Sequence, residues 1–142
     1  MLFPKKVKHR KWQTARLSEA KLARPESRGI TISFGSFGLK AETASRVAAN
    51  QIEAARKVVS RTVGKLGRYW IRLFPDRPIT AKPAEVGMGK GKGDPQGFVA
   101  VIRPGRILFE IDGVDEKTAI DALKGAGVKI SVKTKVVSRN IA

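Results

Sequence analysis

The chain has no cysteine and a single histidine, His9. Without thiols there can be no disulfide, no thiolate nucleophile and no ordinary zinc site. One imidazole leaves Ser60 and Ser131 without a base to activate them. Acids are scarce as well, with 12 Asp and Glu among 142 residues. Asp76, Glu85, Asp94 and the carboxylates between positions 110 and 121 are scattered and have no partnered histidine, so no acid–base pair is set up for catalysis. No catalytic residue, metal ligand or cofactor site is expected, and the chain reads as a non-enzyme. Long apolar runs are also missing. No window approaches the roughly 18 residues of a membrane span, and the basic stretch Met1 to Arg10 is not followed by the apolar segment of a signal peptide. Pro4 and the clustered lysines argue against the amphipathic helix of a transit peptide. A soluble chain that is not exported is expected.

What is abundant is positive charge. Against those 12 acids stand 29 Lys and Arg, a formal net charge of +17, while 42% hydrophobic residues are enough for a core. Such a charge repels itself unless a polyanion or counterions offset it. Nucleic acid, an anionic membrane surface and an acidic protein all satisfy composition alone, so the pattern along the chain has to choose.

Residues 1–28 carry Lys5, Lys6, Lys8, Arg10, Lys11, Arg16, Lys21, Arg24 and Arg28 against Glu19 and Glu26, with few apolar residues to bury. This is expected to be a basic extended arm, ordered by phosphate contacts. Trp12 and His9 sit among the charges, where an aromatic either stacks on a base or folds back onto the rest of the chain; both outcomes stay open.

Residues 29–142 read as one α+β domain. Ile30, Ile32 and Phe34 alternate with Thr31 and Ser33, the spacing of a half-buried strand, which Gly35 and Gly38 then break. Ala48 to Gly64 has helical spacing, with Ile52, Ala55, Val59 and Val63 on one face and basic residues on another. That basic face is either solvated or an RNA contact, with Glu53 almost alone to pair it. Tyr69 to Phe74 predicts a strand ended by a turn at Pro75 to Pro78. Phe98 to Ile102 and Arg106 to Ile111 predict two strands joined as a hairpin around Pro104 and Gly105. Asp115 is placed to cap a short helix through Lys124, with Gly125 and Gly127 beyond its end. Val128 to Val137 alternates as a last strand. Glu110, Asp112, Asp115, Glu116 and Asp121 fall together here, so the second helix is expected to face away from a polyanion. Two helices on one face of a largely antiparallel sheet are expected.

Between residues 79 and 97 apolar periodicity lapses into a long protruding loop centred on Met88-Gly89-Lys90-Gly91-Lys92-Gly93. The Walker pattern fails, because no Gly-Lys-Ser or Gly-Lys-Thr closes the loop, and no dinucleotide fingerprint fits. Two readings remain: a basic tip whose glycines let amides approach phosphates, or a merely flexible soluble loop.

Several stretches together resemble the family of large-subunit ribosomal proteins numbered sixteen in bacteria, which has counterparts in all domains of life. They are Met1-Leu2 with Pro4-Lys5-Lys6 and Arg10-Lys11; Ser33-Phe34-Gly35; Phe37-Gly38-Leu39-Lys40; Gln51 to Arg56; Trp70-Ile71-Arg72 with Phe74-Pro75-Asp76; and Met88 to Gly93. They run in family order across nearly the whole chain. The resemblance implies a structural constituent of the large ribosomal subunit that binds 23S-type rRNA near the tRNA sites and the peptidyl-transferase region. It implies cytoplasmic ribosomes as the location and rRNA, tRNA and neighbouring ribosomal proteins as partners, with no membrane and no homo-oligomer. Lys5, Lys6, Lys8, Arg10, Lys11, Trp12 and Arg16 would meet rRNA, with Arg56, Lys57 and Arg61 as second-choice contacts, and the Met88 to Gly93 loop would approach tRNA. The alternative is a non-ribosomal RNA-binding or RNA-chaperone module. Two positions depart from the family pattern: Gly87 stands where many bacterial members have an arginine that some modify, and Ala48 stands where relatives often have a capping threonine.

Overall fold

The computed structural model describes residues 1–13 and 17–139. In chain order the elements are α1 (Glu19–Leu22), β1 (Phe37–Ala41), β2 (Ser45–Ala48), α2 (Ala49–Val63), β3 (Arg68–Ile71), β4 (Arg77–Ala81), β5 (Asp94–Ile102), β6 (Ile107–Asp112), α3 (Glu116–Val128) and β7 (Thr134–Ser138). The fold is α+β and every strand pairing is antiparallel. The strands divide into a four-stranded sheet ordered β3-β6-β1-β7 and a three-stranded sheet ordered β2-β5-β4.

Helix α2 forms because Ile52, Ala55, Val59 and Val63 recur at helical spacing and all are buried. Ala48 has no side chain with which to cap it; instead Gln51 Oε1 accepts a hydrogen bond from the Ala48 amide at 3.2 Å. Gly64, at φ 68°, ends the helix. Helix α3 buries Ala119, Ala122, Leu123 and Ala126 against α2 and the four-stranded sheet. These side chains join Leu39, Phe109 and Ile111 from the sheet, and Val47, Ala100 and Ile102 from its three-stranded neighbour, in one apolar cluster. Because α2 touches strands of both sheets, it ties them together.

Six local expectations are corrected by the fold. The helix starting after Asp115 does not stop at Lys124 but runs through Gly125 and Gly127. Those glycines serve close packing, since an added Cβ would lie 2.9 Å from Val58 at Gly125 and 2.5 Å from the Thr134 hydroxyl at Gly127. The last strand accordingly begins only at Thr134. The alternating Ile30 to Phe34 stretch is not a strand. It lies across the outer face of the four-stranded sheet, where Gly38 leaves room for Ile32, and the strand is β1, which passes through Gly38. The segments 98–102 and 106–111 do not pair with each other, because β5 and β6 each fill the middle of a different sheet and take two other partners. The turn expected over Pro75 to Pro78 gives way to β4, which tolerates Pro78 because it is an edge strand. The loop is consequently shorter than 79–97, since β4 and β5 form its two legs and only residues 82–93 leave the sheet.

Candidate nucleic-acid interface

The arm begins docked and then leaves the core. Leu2 packs against the apolar cluster, and the Met1 amine lies 3.8 Å from Glu53. Beyond it Lys5, Lys6, Lys8, His9, Arg10 and Lys11 are exposed, and Trp12 remains 44% exposed. Trp12 borders a surface depression together with Leu17, Leu22 and Val101, so its ring sits beside the three-stranded sheet. Arg16 lies outside the described residues. Further along, Ser18 caps the single turn of α1 by accepting from the Lys21 amide at 3.4 Å. The Glu26 amide donates to the Pro104 carbonyl at 2.8 Å, which ties the arm's end to the connection between the two sheets.

Residues 83–92 are all exposed. Gly89 and Gly91 both sit at φ 100° with open space around them, and Lys90 between them is at φ 58°, the only non-glycine residue described with positive φ. This backbone explains the glycines: an L side chain at 89 or 91 would be strained although nothing would touch it. At the neck of the loop the reason differs, because a Cβ on Gly93 would lie 2.6 Å from the Ala81 carbonyl oxygen. Lys82 Nζ donates to the Gly89 carbonyl and folds the tip back. Across the gap to the arm, Lys11 Nζ donates to the Lys92 carbonyl at 3.3 Å, and Lys92 Nζ donates to the Trp12 carbonyl. Two basic segments some eighty positions apart thus meet at one place on the surface. A Cβ on Gly87 would meet nothing within 4 Å, so the glycine there fills no packing need.

The helix cations separate into two kinds. Lys57 and Arg61 are exposed. Arg56 turns inward: its Nε and Nη2 donate to the Glu53 carboxylate at 3.1 and 2.5 Å, and its Nη1 lies 3.3 Å from the Tyr69 hydroxyl. The hydrogen bonds to Arg56 hold the Glu53 carboxyl below its ordinary range, and the same bonds raise the Arg56 guanidinium further.

The acidic group near the second helix also divides. Glu110 is fully buried, accepts from Arg72 Nη1 at 3.2 Å and takes the amides of Ser33 and Phe34 at 2.6 and 3.3 Å. Asp112 accepts from the Ser36 hydroxyl at 2.8 Å and from the Gly113 amide at 2.9 Å. Those bonds, the Ser36 hydroxyl first, hold its carboxyl below the usual range. Both acids therefore fasten the 33–36 segment onto the sheet. Asp115, Glu116 and Asp121 stay exposed on the α3 side.

Two features have little or no signal in the sequence. Arg46 on β2 and Arg77 on β4 flank the same central strand, β5. Burial, and then repulsion from Arg46, push the Arg77 guanidinium down. The other feature is the stack of Phe34 on Trp70, with Arg72 over the Phe34 ring. Its three residues lie in the Ser33-Phe34-Gly35 and Trp70-Ile71-Arg72 stretches that carry the family resemblance, but neither stretch tells that they meet, and the alternation of 30–34 reads equally well as a strand. Among the described residues no group of three or more His, Asp or Glu converges on a metal position, and no helix is long and apolar enough to cross a membrane.

The fold and surface define a strongly basic α+β protein with exposed cations on an arm, a helix and a loop. The family described as ribosomal protein L16p/L10e matches residues 4–137, and the chain belongs to that family. It is thus a structural, non-enzymatic component of the large subunit of the bacterial cytoplasmic ribosome. It is 52% identical over 141 residues to the large ribosomal subunit protein uL16 of Leptospira biflexa serovar Patoc, covering 99% of each chain. It is 50% identical over 141 residues to the protein of the same name from Pseudothermotoga lettingae, covering 99% of this chain and 95% of that one.

Proposed function

We propose that the chain binds 23S-type rRNA through its arm and exposed helix cations, and that its loop tip faces the tRNA sites near the peptidyl-transferase centre, helping to position aminoacyl-tRNA. The observation that carries this reading is the meeting of arm and loop at Lys11, Trp12 and Lys92. That contact brings the cations Lys11 and Lys92 to one exposed place, and the positive backbone dihedrals of Gly89, Lys90 and Gly91 let the loop amides approach a phosphate. In this reading Lys5, Lys6, Lys8, Arg10, Lys11 and Arg16 meet phosphates, Trp12 lies against RNA, and Lys57 and Arg61 are better placed than Arg56, whose guanidinium already faces Glu53. Residues 1–28 act as an arm on an α+β domain formed by 29–142.

The test is the salt dependence of binding to a large-subunit rRNA fragment. With six or more phosphate contacts, affinity falls on the order of a thousandfold between about 50 and 200 mM salt. Lys11→Ala with Lys92→Ala lowers the slope by about one for each phosphate lost. A flat wild-type response contradicts the electrostatic mode. Subunits carrying Lys90→Ala with Lys92→Ala bind aminoacyl-tRNA more weakly at equal occupancy; unchanged binding refutes the tRNA part.

A further inference from the structure

The outer face of the four-stranded sheet carries an aromatic surface that the phosphate-binding reading does not use. Trp70 pairs across the ladder with Glu110, which in turn faces Gly38. Neighbouring positions Tyr69 and Ile71 pack against the apolar cluster, and Trp70 is not part of it. Over Trp70 lies Phe34, ring centroids 5.9 Å apart and planes inclined by 24°. Arg72 Cζ sits 5.1 Å from the Phe34 centroid. Phe34 is nevertheless 55% exposed, and Phe74 beside it is 47% exposed.

An exposed Phe contributes little to stability, so its careful fixing needs a reason. The one fully buried charge among the described residues, Glu110, is committed to holding it: the carboxylate takes the Ser33 and Phe34 amides and pairs with Arg72. A buried carboxylate is costly unless every lone pair is satisfied. Here its partners are the backbone that carries the Phe34 ring and the guanidinium that lies over it. Chain-wide there are six Phe, two Trp and one Tyr, and Phe34, Tyr69, Trp70 and Phe74 line this one shallow surface. Its charged lining consists of Arg56, Arg72 and Arg106; Arg56 is paired with Glu53 and Arg72 with the buried Glu110, while Arg106 donates through Nη2 to the Arg72 carbonyl and its Nε is buried without an acceptor among the described residues.

We propose that this surface is a stacking platform for unpaired bases of RNA, with Phe34 and Phe74 as the exposed rings and Arg72 and Arg106 beside them for the adjoining phosphates. Arg56 and Arg72 are each matched by one carboxylate, so Arg106, which no carboxylate pairs among the described residues, leaves the lining net positive, and that fits a polyanion. Only an unpaired base offers a free π face, because duplex bases already stack on one another. The inference rests on RNA being the partner, but uses residues distinct from the arm and loop.

The experiment measures binding of the full chain to fluorescently labelled single-stranded oligoadenylate of about ten nucleotides, and to a duplex of equal length. Phe34→Leu and Phe74→Leu each weaken oligoadenylate binding by about tenfold, the scale of one lost stack, and leave duplex binding unchanged. Phe34→Tyr, which keeps the ring, restores wild-type affinity. Circular dichroism and the urea midpoint confirm that each variant is folded. Unchanged oligoadenylate affinity in both leucine variants, or equal weakening for both RNAs, overturns the platform. In either case a steep wild-type salt response leaves the phosphate reading standing, whereas a flat response overturns that reading.

Discussion

Glu110 shows how much one residue organises. By sequence it groups with Asp112, Asp115, Glu116 and Asp121 as part of an acidic outer side, yet it is buried and neutralised by Arg72. No periodicity reveals this, because an acid inside a strand looks the same whether it faces solvent or a guanidinium from another part of the chain. Glu110→Gln keeps an acceptor for the amides but leaves Arg72 uncompensated, and is expected to cost about 2 kcal/mol, below the range for fully buried pairs because Arg72 is partly exposed. Urea unfolding reads this as a lower midpoint at constant slope; an unchanged midpoint contradicts it. Asp112 behaves differently. Its pKa is depressed on folding, so its contribution is fully present above the unfolded value near ~3.9 and is lost as pH falls through the folded value. Ser36→Ala removes the leading cause, so the Asp112 carboxyl resonance should titrate at higher pH and acid unfolding should begin earlier. An unmoved titration would mean that the Gly113 amide and the nearby Arg139 and Arg68 set the shift without the Ser36 hydroxyl.

Among the elements, the long amphipathic helix is legible in the sequence almost to the residue, because Ile52, Ala55, Val59 and Val63 are a local pattern and Gly64 is a local stop. What is not legible depends on partners distant in sequence. Ile30, Ile32 and Phe34 alternate because they cover a sheet face, and alternation cannot tell a strand from a segment lying over one. Gly125 and Gly127 look like stop signals until α2 and Thr134 are seen against them. Phe98 to Ile102 and Arg106 to Ile111 look like a hairpin until each is found between two other strands. The arm and the loop are each visible as basic segments, but their meeting at Lys11 and Lys92 lies in no local pattern. Gly35 offers a test of the covering segment: an added Cβ would lie 2.6 Å from the Ile111 carbonyl oxygen, a backbone atom that cannot turn aside. Gly35→Ala is expected to destabilise by roughly 1–3 kcal/mol. Thermal unfolding checks it, and a melting temperature equal to wild type would mean that the 33–36 segment does not press on β6.

For the whole molecule, a charge of +17 on 142 residues repels itself unless a polyanion or counterions offset it. The fold keeps that charge at its periphery: the core cluster is apolar, the buried Glu110 is paired, and the arm and the 83–92 loop stand exposed. Membership of the L16p/L10e ribosomal family accounts for this arrangement, and for the absence of any set of residues for catalysis in the sequence. The most direct measurement follows the protein in a cell lysate resolved by sedimentation. It should travel with the large subunit and leave that fraction when ribonuclease digests the RNA. A slowly sedimenting protein that nuclease does not move would contradict the account.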